Sequence, residues 1–194
     1  MTPEREEKII RVIDKRQPDI TVVFENVHDP HNISAVMRTC DAVGIKEIYV
    51  LYTQEAKLTK LGKKSSSSAL KWLEVNYFYD TKECFDAVRK KYNKIYSTRL
   101  TEQSHSLYDL KLDESIALVF GNERDGVSDL ASSLSDGNFI IPQVGMIQSL
   151  NISVACAVTL YEAFRQRQVA GRFNAAQLNE VERAAMIEKW KNKS

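Results

Sequence analysis

Cysteine, proline, glycine and long apolar runs are all scarce in this chain of 194 residues. The three cysteines (Cys40, Cys84 and Cys156) are far apart, and no Cys or His pair has zinc spacing. They predict buried free thiols and no metal site. Four prolines and seven glycines exclude a collagen-like or low-complexity chain. No apolar run approaches about 18 residues, so no membrane span is expected.

A strong charge of either sign is also missing, because the formal net charge is +1. Hydrophobic residues make up 43% and charged residues 27%, which is typical of one globular domain with terminal additions. The N-terminal segment 1–10 is charged and has no apolar signal core, which predicts a cytoplasmic protein.

The standard nucleotide-binding motifs are absent as well. No G-x-G-x-x-G follows a predicted strand, which argues against a dinucleotide-binding fingerprint. Gly121 and Gly126 have the spacing of a phosphate loop, but Val127 occupies the position where that loop needs lysine. Acidic residues inside the loop would also repel a triphosphate.

Basic residues are unevenly distributed along this nearly neutral chain. Segment 54–72 holds five lysines against one glutamate, and segment 89–99 holds five basic residues and no acidic residue. One-sided basic patches attract polyanions such as RNA or DNA. The alternative is that these lysines and arginines simply cover solvated helix faces.

Alternating apolar patterns predict an α/β protein with a mostly parallel sheet and helices on both faces. A mobile basic loop is expected over 55–71. The predicted domains are an N-terminal helical extension (1–19), a central domain (20–172) and a C-terminal helical extension (173–194). Strands are predicted at 20–26, 46–52, 73–79, 94–99, 115–120 and 138–142, and helices at 3–16, 32–43, 81–92, 128–134, 149–169 and 176–191.

Three segments carry unusual polar residues where a strand ends and a helix follows. In the first, Asn32 occupies the expected N-cap position of a helix, and Arg38 lies on the face opposite the apolar stripe. The second contains Glu123 directly after a strand, where open α/β sheets build ligand sites. The third runs from Ile141 to Asn151. Capping, turn formation and solvent exposure would each explain one segment taken alone.

Taken together, the three segments resemble the three motifs of the SpoU–TrmD (SPOUT) methyltransferases, in the SpoU branch. The first motif, N-x(5)-R, spans Asn32 to Arg38, and the second, G-N-E-x-x-G, spans Gly121 to Gly126. The third, I-P-x-x-G-x-x-x-S-L-N-x-S-x-A, is complete from Ile141 to Ala155. Segments 16–44 and 166–171 further resemble the tRNA guanosine-2′-O-methyltransferase (TrmH) group of that branch.

The resemblance implies a sheet with a deep C-terminal trefoil knot, an exception to the usual rule against knots, and a homodimer. It also implies S-adenosylmethionine as cofactor, tRNA as partner and no metal. The implied cofactor-binding residues are Thr98, Leu100, Gly121, Asn122, Ile141, Met146 and Leu150. The implied catalytic residues are Arg38, Asn32, Glu123, Ser149 and Asn151, and the basic residues expected to bind RNA are Arg11, Lys60, Lys63, Lys64 and Arg165.

The expected reaction is methylation of a ribose 2′-hydroxyl, at the guanosine in position 18 of the tRNA D-loop. Arg38 stays protonated at neutral pH, so we interpret it as a cation that stabilises the developing alkoxide and binds phosphate. Two alternatives remain: an rRNA ribose methyltransferase of the same branch, and a non-catalytic knotted RNA-binding protein. Retention of all five implied catalytic residues argues against the second.

Overall fold

The protein is described by a computed structural model that covers residues 1–53 and 69–193. Two short 3-10 turns lie at Ala69–Lys71 and Leu107–Asp109. The helices are α1 (Pro3–Ile13), α2 (Pro30–Ala42), α3 (Thr81–Arg89), α4 (Asp129–Leu134), α5 (Ile152–Val169) and α6 (Glu180–Lys191). The strands are β1 (Ile20–Glu25), β2 (Glu47–Leu51), β3 (Glu74–Phe78), β4 (Lys94–Thr98), β5 (His105–Ser106), β6 (Ile116–Phe120) and β7 (Gly137–Ile140).

The strands form one parallel sheet in the order β3-β2-β1-β6-β4-β7-β5. Central β1 pairs with β6 over five residue pairs, from Ile20 with Ile116 to Phe24 with Phe120. This arrangement confirms the predicted α/β class and all six predicted strands. The sequence did not predict β5, because two residues are too few to show a period-2 pattern.

Successive side chains of the central strands point to opposite faces of the sheet, and each face has its own hydrophobic core. On one face Val22 and Phe24 pack in a cluster that includes residues of α2 and α5. On the other face Val23 packs in a cluster that includes residues of α3 and α4. Burial on both faces explains why the central strands β1 and β6 are almost wholly apolar.

The two terminal helices pack against each other. Ile9 and Ile13 of α1 join Met186 and Trp190 of α6 in a third hydrophobic cluster. Within residues 1–53 and 69–193, no helix combines the length and the hydrophobicity that a membrane span needs.

Helix ends differ from the sequence predictions at several points. The N-cap of α2 is Asp29, whose carboxylate accepts a hydrogen bond from the backbone N–H of His31 at 2.8 Å, so the prediction that Asn32 is the cap is wrong. Pro30 fits the first turn because its missing N–H would be unpaired there. The third motif's Asn151 caps α5, which therefore starts at Ile152 rather than at 149.

The other predicted boundaries follow the same pattern of small shifts. The N-terminal helix ends at Ile13 rather than at 16, and the last helix starts at Glu180, behind the cap Asn179. The basic loop predicted over 55–71 lies outside the described residues, except for the turn at Ala69–Lys71.

Candidate functional site

A large open cavity lies at the carboxyl edge of the sheet, where β4, β6 and β7 end. It is lined by residues 98–100, by residues 120–126 and by much of the segment between β7 and α5. Its volume is about 1020 Å³. This is at the upper end of the range of about 300–1,000 Å³ for small-molecule sites. A parallel sheet places ligand sites at this edge because the loops after neighbouring strands converge there.

The loop after β6 turns back sharply on itself. A Cβ atom on Gly121 would lie 1.9 Å from the backbone carbon of Gly126, so only glycine fits at position 121. The side-chain oxygen of Asn122 accepts hydrogen bonds from the backbone N–H groups of Arg124 (2.9 Å) and Asp125 (2.8 Å). This turn leaves Glu123 exposed at the cavity wall.

A buried carboxylate holds the far end of that loop. Glu25, at the end of β1, is 1% exposed and accepts hydrogen bonds from Ser128, from its N–H at 2.8 Å and its hydroxyl at 2.6 Å. Ser128 in turn caps α4 by accepting from the N–H of Ala131 at 3.1 Å. The loop between β6 and α4 is therefore fixed at its exit, a role that the sequence did not reveal.

Hydrogen bonds join the three motif segments. The side-chain amide of Asn151 donates to the side-chain oxygen of Asn32 at 3.2 Å, and the amide of Asn32 donates to the carboxylate of Glu123. The oxygen of Asn151 accepts from the backbone N–H of Ser153 at 2.8 Å and from its hydroxyl at 2.6 Å. We call Asn32, Glu123 and Asn151 the amide cluster. It brings together positions 91 and 119 residues apart in the sequence.

Arg38 is not part of the amide cluster. It lies six residues after Asn32 on α2, about 9 Å farther along the helix axis and about 120° around it. Its side chain is exposed and has no hydrogen bond or ion pair with any residue of the described ranges. The guanidinium is therefore free to meet a ligand from solvent.

Most predicted cofactor residues line the cavity. Met146 does not: its side chain is 98% exposed and lies outside the lining. Ser149 of the predicted catalytic set also lines the cavity and is exposed. The lining residues among the cofactor predictions are Thr98, Leu100, Gly121, Asn122, Ile141 and Leu150.

The residues predicted to bind RNA fall into three situations. Arg11 is exposed on α1. Arg165 is exposed on α5, but its guanidinium already makes two hydrogen bonds to Glu162, at 2.9 and 2.7 Å. Lys60, Lys63 and Lys64 lie outside the described residues.

Sequence reasoning missed several polar residues of the lining. Arg99 follows β4 between two predicted residues, and it is anchored through the backbone oxygen of Val127 at 3.5 Å and through Asp129. Gln143 and Gln148 lie in the third motif at positions that its pattern leaves unspecified. These three residues are flanked in the sequence by predicted site residues, and this proximity could have identified them. Within the described part of the chain, no group of three His, Cys, Asp or Glu residues could hold a metal ion.

Comparison with known proteins gives a consistent result. Residues 19–161 match the model of the SpoU rRNA Methylase family. A tRNA (guanosine(18)-2′-O)-methyltransferase of Thermus thermophilus is 38% identical over 192 residues, which cover 99% of this chain and 98% of that protein.

Solved structures agree with the sequence relatives. The crystal structure of the Aquifex aeolicus TrmH/SpoU tRNA-modifying enzyme superimposes with a TM-score of 0.89 at 33% identity, covering 98% of this chain and 96% of that one. The SpoU methyltransferase AviRb of Streptomyces viridochromogenes, in complex with the cofactor AdoMet (S-adenosylmethionine), has a TM-score of 0.69 at 26% identity. That match covers 80% of this chain and 59% of the AviRb chain. With its motifs joined at one edge of a parallel sheet, this chain belongs to the SpoU methylase family.

Proposed function

We propose that this protein transfers a methyl group from S-adenosylmethionine to the 2′-hydroxyl of a ribose in tRNA, at guanosine 18 of the D-loop. The observation that carries this proposal is the amide cluster, which joins all three motif segments and places two of its members, Glu123 and Asn151, in the lining of the cavity of about 1020 Å³. The similarity to a tRNA (guanosine(18)-2′-O)-methyltransferase across 99% of the chain supports the choice of tRNA and of guanosine.

The cavity has groups suited to the parts of S-adenosylmethionine, and its lining carries two arginines (Arg99 and Arg124) as well as two carboxylates. It offers apolar side chains for the adenine, contributed by Leu100, Ile141 and Leu150. Carboxylates of Glu123 and Asp125 also line it and are suited to a cationic sulfonium. Gly121, at the tight turn, is itself one of the lining residues of the cavity. When bound, the cofactor supplies an electrophilic methyl group.

The residues of the chain then have to position the ribose and remove a proton from a weakly acidic hydroxyl. The side-chain amides of Asn32 and Asn151 can orient the ribose, and Ser149 supports them from the same wall. Glu123 holds Asn32 in place through its hydrogen bond. We assign Arg38 to an RNA phosphate beside the target ribose, since its guanidinium is exposed and stays protonated at neutral pH.

A homodimer is part of the proposal. The segment between β7 and α5 carries two apolar side chains that stand in solvent in the single chain and do not line the cavity, Val144 and Met146. Contiguous exposed apolar groups mark protein interfaces, so a second copy of the chain would cover them. Met146 would then contact the partner rather than the cofactor. Analytical ultracentrifugation should give a mass of two chains. The double variant Val144→Asp with Met146→Asp should lower the measured mass to that of one chain.

Three further expectations belong to the same proposal. The segment between β7 and α5 would take part in a trefoil knot, and helices α1 and α6 would act as extensions of the central domain that bind tRNA phosphates. RNA affinity should then fall steeply as salt is raised. The three cysteines are free and buried, which suits a reducing compartment, and we place the protein in the cytoplasm.

Transfer of labelled methyl groups to purified tRNA, followed by mapping of the modified nucleoside, tests the proposal. We expect 2′-O-methylguanosine in the D-loop, and no product on a transcript in which that guanosine is replaced by adenosine. Methylation of rRNA but not of tRNA would favour the rRNA alternative. Cofactor-independent RNA binding without methyl transfer to either RNA would favour the non-catalytic alternative.

A further inference from the structure

A second cleft lies at the other end of α2, between the terminal helices. It has a volume of about 410 Å³ and shares no lining residue with the cavity at the carboxyl edge. Five of its lining residues have side chains suited to polar or aromatic recognition: Arg5, Lys8, Asp41, Trp72 and Trp190. Asp41 and Asn32 are nine residues apart on α2, which places the cleft about 14 Å along the helix axis from the amide cluster.

Two indole rings form a rigid aromatic wall in this cleft. The ring centroids of Trp72 and Trp190 are 4.8 Å apart, with an angle of 56° between the planes. Trp190 is 4% exposed, and the guanidinium of buried Arg16 lies 4.9 Å from its ring centroid. Trp72 is only half-buried, so part of its surface remains accessible. An accessible indole held from behind is a stacking surface for a flat ring, and every nucleobase has such a face.

Two cations stand at the rim of the cleft with no acidic partner. Arg5 and Lys8 are three residues apart on α1 and therefore lie on the same face of the helix. Both are exposed, and within residues 1–53 and 69–193 neither side chain has a hydrogen bond or ion pair. An arginine and a lysine side by side can bind one phosphate group.

The cleft lining also contains one carboxylate, that of Asp41. Asp41 accepts a hydrogen bond from Arg16 through its Oδ1 atom, and its side chain remains 32% exposed. Its Oδ2 atom makes no hydrogen bond within the described part of the chain. Carboxylates recognise bases by accepting hydrogen bonds from ring N–H and amino groups. Guanine presents two such donors side by side, whereas uracil has no amino group.

We propose that this cleft binds one nucleotide, with its base against Trp72, its phosphate at Arg5 and Lys8, and its amino edge at Asp41. The nucleotide can come from two sources: it is part of the substrate RNA, outside the methylated ribose, or it is a free nucleotide. The first source rests on the proposed action on RNA. The separation of about 14 Å from Asn32 means that the cleft holds a different nucleotide from the one that is methylated.

Intrinsic fluorescence tests this directly, because Trp72 and Trp190 are the two tryptophans of the sequence and both line the cleft. Excitation at the red edge of indole absorption reports on them without the tyrosines. Titration with GMP should quench the emission saturably with a Kd of about 1 mM or tighter, and UMP should bind more weakly. Ribose 5-phosphate, which has no base, should leave the emission unchanged.

Charge variants provide the second readout. Arg5→Gln combined with Lys8→Gln should weaken GMP binding at least about tenfold, since charged hydrogen bonds to phosphate are lost. Both residues are exposed, so the fold should persist. The matched control is Lys82→Gln with Lys111→Gln, two exposed lysines remote from the cleft lining, which should bind GMP as the unchanged protein does.

A tRNA transcript identifies the source of the nucleotide. Quenching by tRNA and displacement of GMP by it would assign the cleft to the substrate RNA, whereas GMP binding that tRNA does not affect would assign it to a free nucleotide. Absence of quenching by both GMP and tRNA, or equal quenching by ribose 5-phosphate, would overturn the proposal. Methyl transfer measured on the same samples separates the two failures: active protein without quenching refutes only the nucleotide cleft.

Discussion

Two polar clusters lie at opposite edges of the same sheet and differ in almost every property. The amide cluster at the carboxyl edge is partly exposed, and its members share few hydrogen bonds. At the amino edge, Arg167 is 1% exposed and donates to the backbone oxygens of Leu112 (2.9 Å) and Glu114 (2.6 Å), to Gln17 (3.1 Å) and to Asp19 (2.6 Å).

This difference distinguishes polar side chains that stabilise the fold from polar side chains that can bind a substrate. A buried charge is tolerated only when its hydrogen bonds are satisfied internally, so Arg167 has little capacity left for a ligand. Burial lowers the pKa of Arg167 to about 10, and the guanidinium is still protonated at neutral pH. Asn32, Glu123 and Asn151 keep lone pairs and donors that solvent can reach, as a substrate site requires.

The largest expected effect is on stability, at the amino edge. Arg167→Met should lower the free energy of unfolding by about 3–5 kcal/mol, because it leaves three acceptors (the backbone oxygens of Leu112 and Glu114 and the side-chain oxygen of Gln17) without this donor. Asp19 loses one of its two arginine partners and keeps Arg172. Urea denaturation measures the loss. Arg165→Met, two residues earlier on α5, is the matched control. Its exposed ion pair with Glu162 should contribute far less to stability, because solvent screens it. Equal losses of unfolding free energy in the two variants would contradict the structural role assigned to buried Arg167.

A second effect is expected in the amide cluster at the carboxyl edge. Asn32→Ala and Asn151→Ala should each slow methyl transfer about 10²-fold, and the double variant should be far less impaired than the product of the two, because the residues act as one hydrogen-bonded unit. Single-turnover kinetics measures this.

Asn151 also caps α5, so its loss should cost about 1 kcal/mol of stability in addition. Asn151→Asp is the control that separates the two roles. It keeps an oxygen for Ser153 but removes the donor to Asn32. Transfer should therefore stay impaired while stability returns. Strictly multiplicative effects in the double variant would show that the two amides act independently.

The smallest effect concerns a buried carboxylate away from the site. Burial acts to raise the pKa of Glu47, but hydrogen bonds and charge from Lys91, with Tyr92 and Asn76, outweigh it and lower the pKa below its usual value of 4.5. A lowered pKa means that the stabilisation is present above the unfolded-state pKa and is lost as pH falls through the folded-state pKa.

Glu47→Gln should therefore flatten the fall of stability below about pH 4.5 by at most about 1.4 kcal/mol per pH unit. Thermal denaturation of the two proteins across this pH range measures it. Methyl transfer per folded molecule at neutral pH should not change. If stability falls equally steeply with pH in the two proteins, the lowered pKa of Glu47 is contradicted.

The architecture was predictable because the short strands, of which β1 and β6 are the most apolar, alternate with helices, of which α1 and α3 are clearly amphipathic. The predicted N-cap of α2 was wrong because two neighbouring residues compete for that position. Asp29 and Asn32 can both cap a helix, and Pro30, which fits the first turn, decides for Asp29. Strand β5 owes its existence to pairing with β7, a long-range contact that leaves no local pattern at His105–Ser106.

The site was predictable as a set of motifs but not as a geometry. Motif order placed Asn32, Glu123 and Asn151 together, and the hydrogen bonds confirm that proximity. The spacing of six residues predicts that Arg38 is turned away from Asn32 around the helix, but it could not reveal that the Arg38 side chain is exposed and unpaired within the described residues. Nor could the motif reveal that Met146 is exposed and outside the cavity lining, because that depends on the path of an irregular loop.

The central claim is that loops of the carboxyl edge hold the methyl donor while exposed Arg38 acts on the RNA. The most direct test compares S-adenosylmethionine binding, by calorimetry, with single-turnover methyl transfer to tRNA in Arg38→Ala. We expect cofactor affinity within about twofold of the unchanged protein and transfer slowed about 10²–10³-fold. Near-normal transfer, or loss of cofactor binding in a folded variant, would contradict it.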